Sequence, residues 1–312
     1  MSDSPATVGA MSPLVTDLQD AAKAASHRVR AALGQAGGVV PVVRLEGPIA
    51  APAMSGGLGR GTLNLAGVEP VLRRAFETDD AVAVALVLNS PGGSPAQSEL
   101  IATRIRQLAA KHELPVLAFC EDVAASGGYW LACAADEIFV TTTSIVGSIG
   151  VISASFGAKE LIGKIGLERR VFTEGDAKHR LDMFEDVREG DIEWLHGIQG
   201  DIHSAFREWV TSRRGDRLGA DPALFTGEVW IGRKAVDLGL ADGIGTLRGV
   251  LDERFPDAEV EAMHSPKPLL ARLLGGSTAL DGAGLAASVT TGVIEGALAG
   301  LQRRGLWANF GA

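Results

Sequence analysis

The 312 residues, 46% of them hydrophobic, are enough for one large α/β domain or two modest ones around a substantial core. A net charge of −9, a pI near 5.2 and no basic run longer than a pair of arginines leave no electrostatic footprint for nucleic acid or anionic lipid. Only two cysteines occur, Cys120 and Cys133, each inside an apolar stretch, which favours two packed thiols in a reduced compartment over a disulfide framework.

Residues 1–37 read as a polar, Ala-rich helical extension ending at Gly37 and Gly38. It lacks the apolar run of a signal peptide, so the mature protein is expected to start where the gene does. Strands and helices then alternate through a domain spanning 38–262. Residues 39–47 (VVPVVRLEG) read as a strand, Val68–Thr78 as a helix, Ala81–Leu88 as a fully apolar strand, and Ala96–Lys111 as a helix. Next come strand Pro115–Cys120, a Gly-opened helix from Ser126 to Ala134, strand Glu137–Thr141, a Ser/Gly-rich turn and a helix over Ala158–Ile165. A strand at Glu168–Thr173 leads to a polar loop around Lys178. A long helix from about Gly190 to Arg214 spaces Trp194, Ile198, Ile202, Phe206 and Val210 on one face, as core or subunit contact. After residues 232–245 comes a last helix–strand pair. This alternation predicts parallel strands with helical crossovers. Residues 263–312 form a Gly/Ala-rich tail in which Gly284, Ser288, Gly292, Gly296 and Gly300 recur every four residues; a packed or interfacial helix fits them better than a membrane span.

Two strand-to-helix turns carry chemical potential. In LVLNSPGGS (86–94), Gly92 and Gly93 can present backbone N–H groups at a helix start, where an oxyanion is stabilised; the plainer alternative is a tight turn. In EDVAASGGYWLACAAD (121–136), Ser126 stands between two alanines and two glycines, a layout that exposes a nucleophile and offers the Gly127 N–H as a second oxyanion donor. The alternative there is a simple helix N-cap. A nucleophilic serine needs a base, and no His/Asp arrangement suggests a triad. Lys178, in TEGDAKHRLDMF, is the better candidate, although by itself it reads as a solvated lysine. A lysine amine serves as base only when neutral, which removal from water favours.

Five ordered segments, NSPGG (89–93), the D-x-A-A-S-G-G-Y run (122–129), VGSIGV (146–151), xGxxK (174–178) and GEVWIGRKAVDLGLAD (227–242), together resemble the signal peptide peptidase A type of serine peptidase. The resemblance covers roughly residues 38–250. It implies a ClpP/crotonase-like α/β fold, a repeated ββα superhelix with a parallel sheet core. It further implies Ser126 as nucleophile, Lys178 as general base, and Gly92, Gly93 and Gly127 as the oxyanion region. Ser148 falls where its hydroxyl would orient the lysine amine; otherwise it is a turn serine. Glu174 and Ala177 replace a commoner serine and aromatic, while the Gly175-to-Lys178 spacing is kept.

The expected activity is hydrolysis of signal-peptide remnants or other extended apolar peptides through an acyl-enzyme on Ser126. The expected partners are peptide or unfolded-protein substrates and further copies of the chain in a homo-oligomeric ring, with dyads completed across subunits as one arrangement. No nucleic acid partner, metal or organic cofactor is expected. The expected location is cytoplasmic, with room for peripheral contact at the inner face of the bacterial plasma membrane through the tail. Two other readings stay open: a crotonase-like acyl-CoA enzyme, which thioester binding would reveal, and a catalytically inactive scaffold ring, which would not react with a serine-directed probe.

Overall fold

The computed structural model describes residues 37–52 and 62–264. The expected extension at 1–37 and tail at 263–312 lie almost wholly outside the described residues. The frame is a sheet of eight strands: β1 (Val39–Glu46), β2 (Val84–Ser90), β3 (Val116–Ala125), β4 (Glu137–Val140), β5 (Ile145–Gly147), β6 (Val229–Ile231), β7 (Gly243–Ile244) and β8 (Glu259–Ala262). The main order is β6-β5-β3-β2-β1-β8, with β4 and β7 branching from β3. Every pairing is parallel except β5 with β6. This is the mixed α/β, mostly parallel architecture expected of a ClpP/crotonase-like fold.

The helices are α1 (Leu65–Phe76), α2 (Pro95–His112), α3 (Gly127–Ala132), α4 (Lys159–Lys164), α5 (Glu189–Arg214), α6 (Gly232–Asp237) and α7 (Leu247–Arg254). Starts follow side-chain caps where the sequence supplies them. Asn64, Ser94 and Thr246 accept from the N–H of Gly67, Gln97 and Gly249, and Pro95 adds a preset φ at the start of α2.

The run AVAVALVL is apolar throughout because both faces of β2 are covered. Val84, Leu86 and Leu88 join a cluster containing Leu72 and Phe76 of α1, Ile101 and Ile105 of α2, and Phe206 and Val210 of α5. Ala85 and Val87 face the other way, toward Phe119, Phe139 and Val250 and Leu251 of α7.

A salt-bridged cluster ties α5 to the sheet. Arg214, 2% exposed, donates to Asp242 at 2.7 and 3.0 Å and to the Gly239 carbonyl at 2.8 Å. Asp242 also accepts the Ile138 N–H at 2.7 Å and Arg217 at 3.0 Å. Burial pushes the Asp242 carboxyl up, but the Arg214 hydrogen bonds, the Ile138 N–H and the two guanidinium charges outweigh it and leave the group below the ordinary carboxylate range. A carboxyl depressed in the folded state contributes stability above its unfolded value, and that stability is lost as pH falls through the folded value. Urea unfolding should therefore show stability declining on acidification below the ordinary carboxylate range. Asp242→Ala, which strands the Arg214 charge, should lose about 3–5 kcal/mol at neutral pH and show a weaker acid dependence. A neutral-pH loss below about 1 kcal/mol would mean that Arg214 finds other compensation.

One stretch departs from the sequence reading. The strand expected at Glu168–Thr173 does not form: residues 167–173 have no regular structure. A strand needs a paired ladder, and along residues 151–188 the chain leaves the body as an arm that carries α4 and exposes most of its apolar side chains. Ile152 is 88%, Phe156 82% and Phe172 91% exposed. The long helix divides accordingly. Phe206 and Val210, toward its C-terminal end, are buried in the core, whereas Trp194 and Ile198 are 42% and 40% exposed near the arm.

Candidate active site

The two strand-to-helix turns singled out in the sequence meet. A side chain on Gly92 would place its Cβ 2.6 Å from the Gly127 nitrogen and 2.8 Å from the Ser126 Cβ, so the β2–α2 turn lies directly against the β3–α3 turn. At Gly93, φ is +140° and a Cβ would fall 2.0 Å from the Ile49 carbonyl oxygen. Only glycine permits both the positive φ and this approach.

Ser126 has φ 52° and ψ −122°, a conformation that costs about 1–3 kcal/mol and persists only when neighbours over-determine it. They do. Its N–H donates to the Gly147 carbonyl at 2.8 Å, and its own carbonyl accepts the N–H groups of Tyr129 and Trp130 at 2.9 and 3.0 Å. Although Ser126 occupies the N-cap position of α3, its side chain makes no capping hydrogen bond, so the plain capping role does not apply. The backbone is fixed and the hydroxyl is left available.

The route that brings Ser126 here is a defect in the ladder. Leu88 pairs with Cys120 but Ser90 pairs with Ala124, so β3 carries two extra residues. Asn89 spans the irregularity: its Nδ2 donates to Asp122 at 2.7 Å and its Oδ1 accepts the Val123 N–H at 3.3 Å. Beyond it, β3 leaves β4 and pairs with β5, with Ala125 opposite Gly147. Ser148 therefore follows β5 beside the Ser126 turn. Its φ is 53°, its N–H donates to the Glu228 carbonyl at 2.7 Å, and among the described residues its hydroxyl makes no turn hydrogen bond of the kind a plain turn serine would form.

Of the three expected oxyanion residues, Gly92 already donates its N–H to the Ser90 hydroxyl at 3.2 Å, so its part is to make room. The Gly93 and Gly127 N–H groups have no backbone acceptor among the described residues. Behind the turn, α3 is buried along its whole length. The carbonyls after its C-terminus are claimed by arginines: Cys133 and Ala135 by Arg213 at 2.9 and 3.0 Å, Ala134 by Arg106 at 3.1 Å. Cys120 and Cys133 are free and buried, and burial pushes the Cys133 thiol up to about 12. Neither is a nucleophile in this state.

Lys178 is placed differently. It sits on the arm, exposed, in a turn whose N–H donates to the Gly175 carbonyl at 3.2 Å. Within one chain its ammonium makes no contact that joins it to Ser126. The fold thus brings together Ser126, Ser148, Gly92, Gly93 and Gly127 and leaves Lys178 outside that group. A cavity of about 620 Å³ is lined by Val87, Phe119, Glu121 and Arg248 among others, on the α7 side of the sheet; Ser126 does not line it.

Sequence reasoning missed Asn89, Arg106 and Arg213. Asn89 was in view within NSPGG, and its reach across to Val123 depends on the β3 irregularity. The arginines act on carbonyls that are remote in the chain.

A mostly parallel α/β sheet that sets a strained, uncapped serine at a strand–helix turn beside glycine amides is an arrangement that can present a nucleophile and receive an oxyanion. The comparisons specify it further. Residues 109–261, a little under half of the chain, match the model described as Peptidase family S49, in line with the resemblance to the signal peptide peptidase A type of serine peptidase. A Brucella abortus protein named Na(+)/H(+) antiporter NhaA is 45% identical over 274 residues, 87% of this chain and 37% of that protein. A putative protease of Synechocystis is 29% identical over 201 residues, 62% of this chain and 72% of that protein. A putative signal peptide peptidase SppA of Enterococcus faecium is 29% identical over 180 residues, covering 57% and 52%. The chain spans little more than a third of the antiporter-named relative it matches. Among the described residues no helix is long and apolar enough to cross a membrane.

Proposed function

We propose that the chain is an endopeptidase in which the Lys178 amine, in its neutral form, takes the proton from the Ser126 hydroxyl as Oγ attacks a peptide carbonyl. The Ser126 Oγ–C bond forms, the carbonyl oxygen becomes an oxyanion, and the Gly93 and Gly127 N–H groups receive it in the space that Gly92 leaves. Collapse expels the amine, which recovers its proton from Lys178, and water then hydrolyses the acyl-enzyme by the same proton path. Ser148 holds the lysine amine by a hydrogen bond. The observation that carries this reading is the uncapped Ser126 hydroxyl on a backbone fixed at φ 52°.

The dyad is completed between copies in a homo-oligomeric ring. A neutral lysine needs removal from water, yet Lys178 is exposed in one chain, and the arm bearing it displays Ile152, Phe156 and Phe172 to solvent. Apolar exposure on that scale marks a surface that another chain covers. The substrates are extended apolar peptides, signal-peptide remnants among them.

The test is labelling of the assembled protein with a fluorophosphonate, followed by mapping of the modified residue and an assay on a quenched unfolded protein. Modification of Ser126 with hydrolysis of the substrate supports the proposal. An assembled protein that neither labels nor cleaves would point to the scaffold reading, and thioester turnover without peptide cleavage to the acyl-CoA one.

A further inference from the structure

We infer that Asp191 is a positioning residue for Lys178, linking the lysine loop to α5 and through α5 to the body of the protein. The inference rests on the proposed role of Lys178 as base.

Asp191 is 5% exposed although it lies in the first turn of α5. Arg188 grips its carboxylate with two hydrogen bonds of 2.9 and 3.2 Å. From the lysine loop, Arg180 reaches the same carboxylate at 3.4 Å and lays its guanidinium over the Trp194 ring of α5, 5.1 Å from the centroid. The Leu181 N–H acts on it as well; Leu181 holds φ 54°, unusual for a branched side chain. The Arg188 hydrogen bonds, the Leu181 N–H and the charges of Arg188 and Arg180 together hold the carboxyl below its ordinary range.

Arg180 and Leu181 are two and three residues beyond Lys178, and the residue between, His179, meets Arg188 at 3.4 Å and Glu185 at 3.7 Å. A second carboxylate, Asp182, in a half-buried position, accepts the Phe184 N–H at 2.9 Å and pairs with Arg169, closing the loop on the arm. At its other end α5 is anchored by Phe206, Val210, Arg213 and Arg214. Asp191 is thus where a rigid helix 26 residues long takes hold of the chain next to the base. Burying a carboxylate costs free energy unless it is paired, so a surface loop without a placement requirement has no use for this arrangement.

The experiment compares assembled wild type, Asp191→Asn, Lys178→Ala and the double variant by peptide hydrolysis and by the rate of Ser126 labelling. Asp191→Asn keeps the shape and removes the charge. It should lower kcat about 10–100-fold with KM within about twofold, as expected for a misplaced catalytic group. On the Lys178→Ala background it should cause no further loss, because its effect passes through the lysine. Losses that multiply in the double variant, or an unchanged kcat in the single one, overturn the inference. Full activity in Lys178→Ala would instead overturn the lysine assignment itself. Should Asp191→Asn not assemble, Arg180→Gln decides: a several-fold lower kcat in intact assemblies supports the inference, and a wild-type kcat overturns it.

Discussion

Ser126→Ala and Lys178→Ala should each lower peptide hydrolysis by roughly three orders of magnitude or more while leaving the assembly intact, because nucleophile and base act as a unit. Light scattering on each variant checks that the assembly is unchanged. The paired variants also test where the dyad is completed. If each site takes its serine from one copy and its lysine from the next, co-assembly of the two dead variants restores about a quarter of the sites, since each mixed site needs two intact contributions drawn at random in a symmetric ring. If serine and lysine act within one chain, no mixture recovers activity. Retention of activity by both single variants would remove Ser126 and Lys178 from the mechanism altogether.

Gly92→Ala should be nearly as damaging, although it deletes nothing. At φ +94° the new Cβ would sit 2.6 Å from the Gly127 nitrogen, 2.8 Å from the Ala125 carbonyl oxygen and 2.8 Å from the Ser126 Cβ. The first two are backbone atoms and cannot swing aside, so relief comes only by parting the two turns. That displaces an oxyanion donor, whose loss is worth about 10²–10³ in kcat. The left-handed conformation adds roughly 1 kcal/mol of destabilisation. Steady-state kinetics and thermal unfolding of the variant would show both effects. A kcat within twofold of wild type would mean that the two turns do not meet as described.

The centre of the fold and the strand–helix turn at Ser126 were readable in the sequence for a physical reason. Apolar runs such as residues 81–88 are long enough to be unambiguous, and the small residues around Ser126 admit few other conformations. Where elements are short or depend on distant partners, local pattern says little. Strands β5 and β6, three residues each, read as a Ser/Gly-rich turn and part of a motif, and the two extra residues in β3 have no local signature. A strand was expected over residues 168–173, but its two apolar side chains, Val171 and Phe172, face solvent in a single chain. Lys178 is singled out by the Gly-to-Lys spacing of the family the chain resembles and not by its own surroundings. Asp191 and Arg214 carry no local sequence signal that they are buried. Their burial follows from Leu181 and Asp242, partners that sequence position does not reveal.

If Ser126 and Lys178 act as proposed, a freshly synthesised copy carries on its body a nucleophile without a base and, on residues 151–188, a base without a nucleophile. With the dyad shared between copies, cleavage would rise more steeply than linearly with protein concentration until the ring is saturated. Silence during folding and at low abundance would then need no propeptide and no separate inhibitor; dilution alone would provide it.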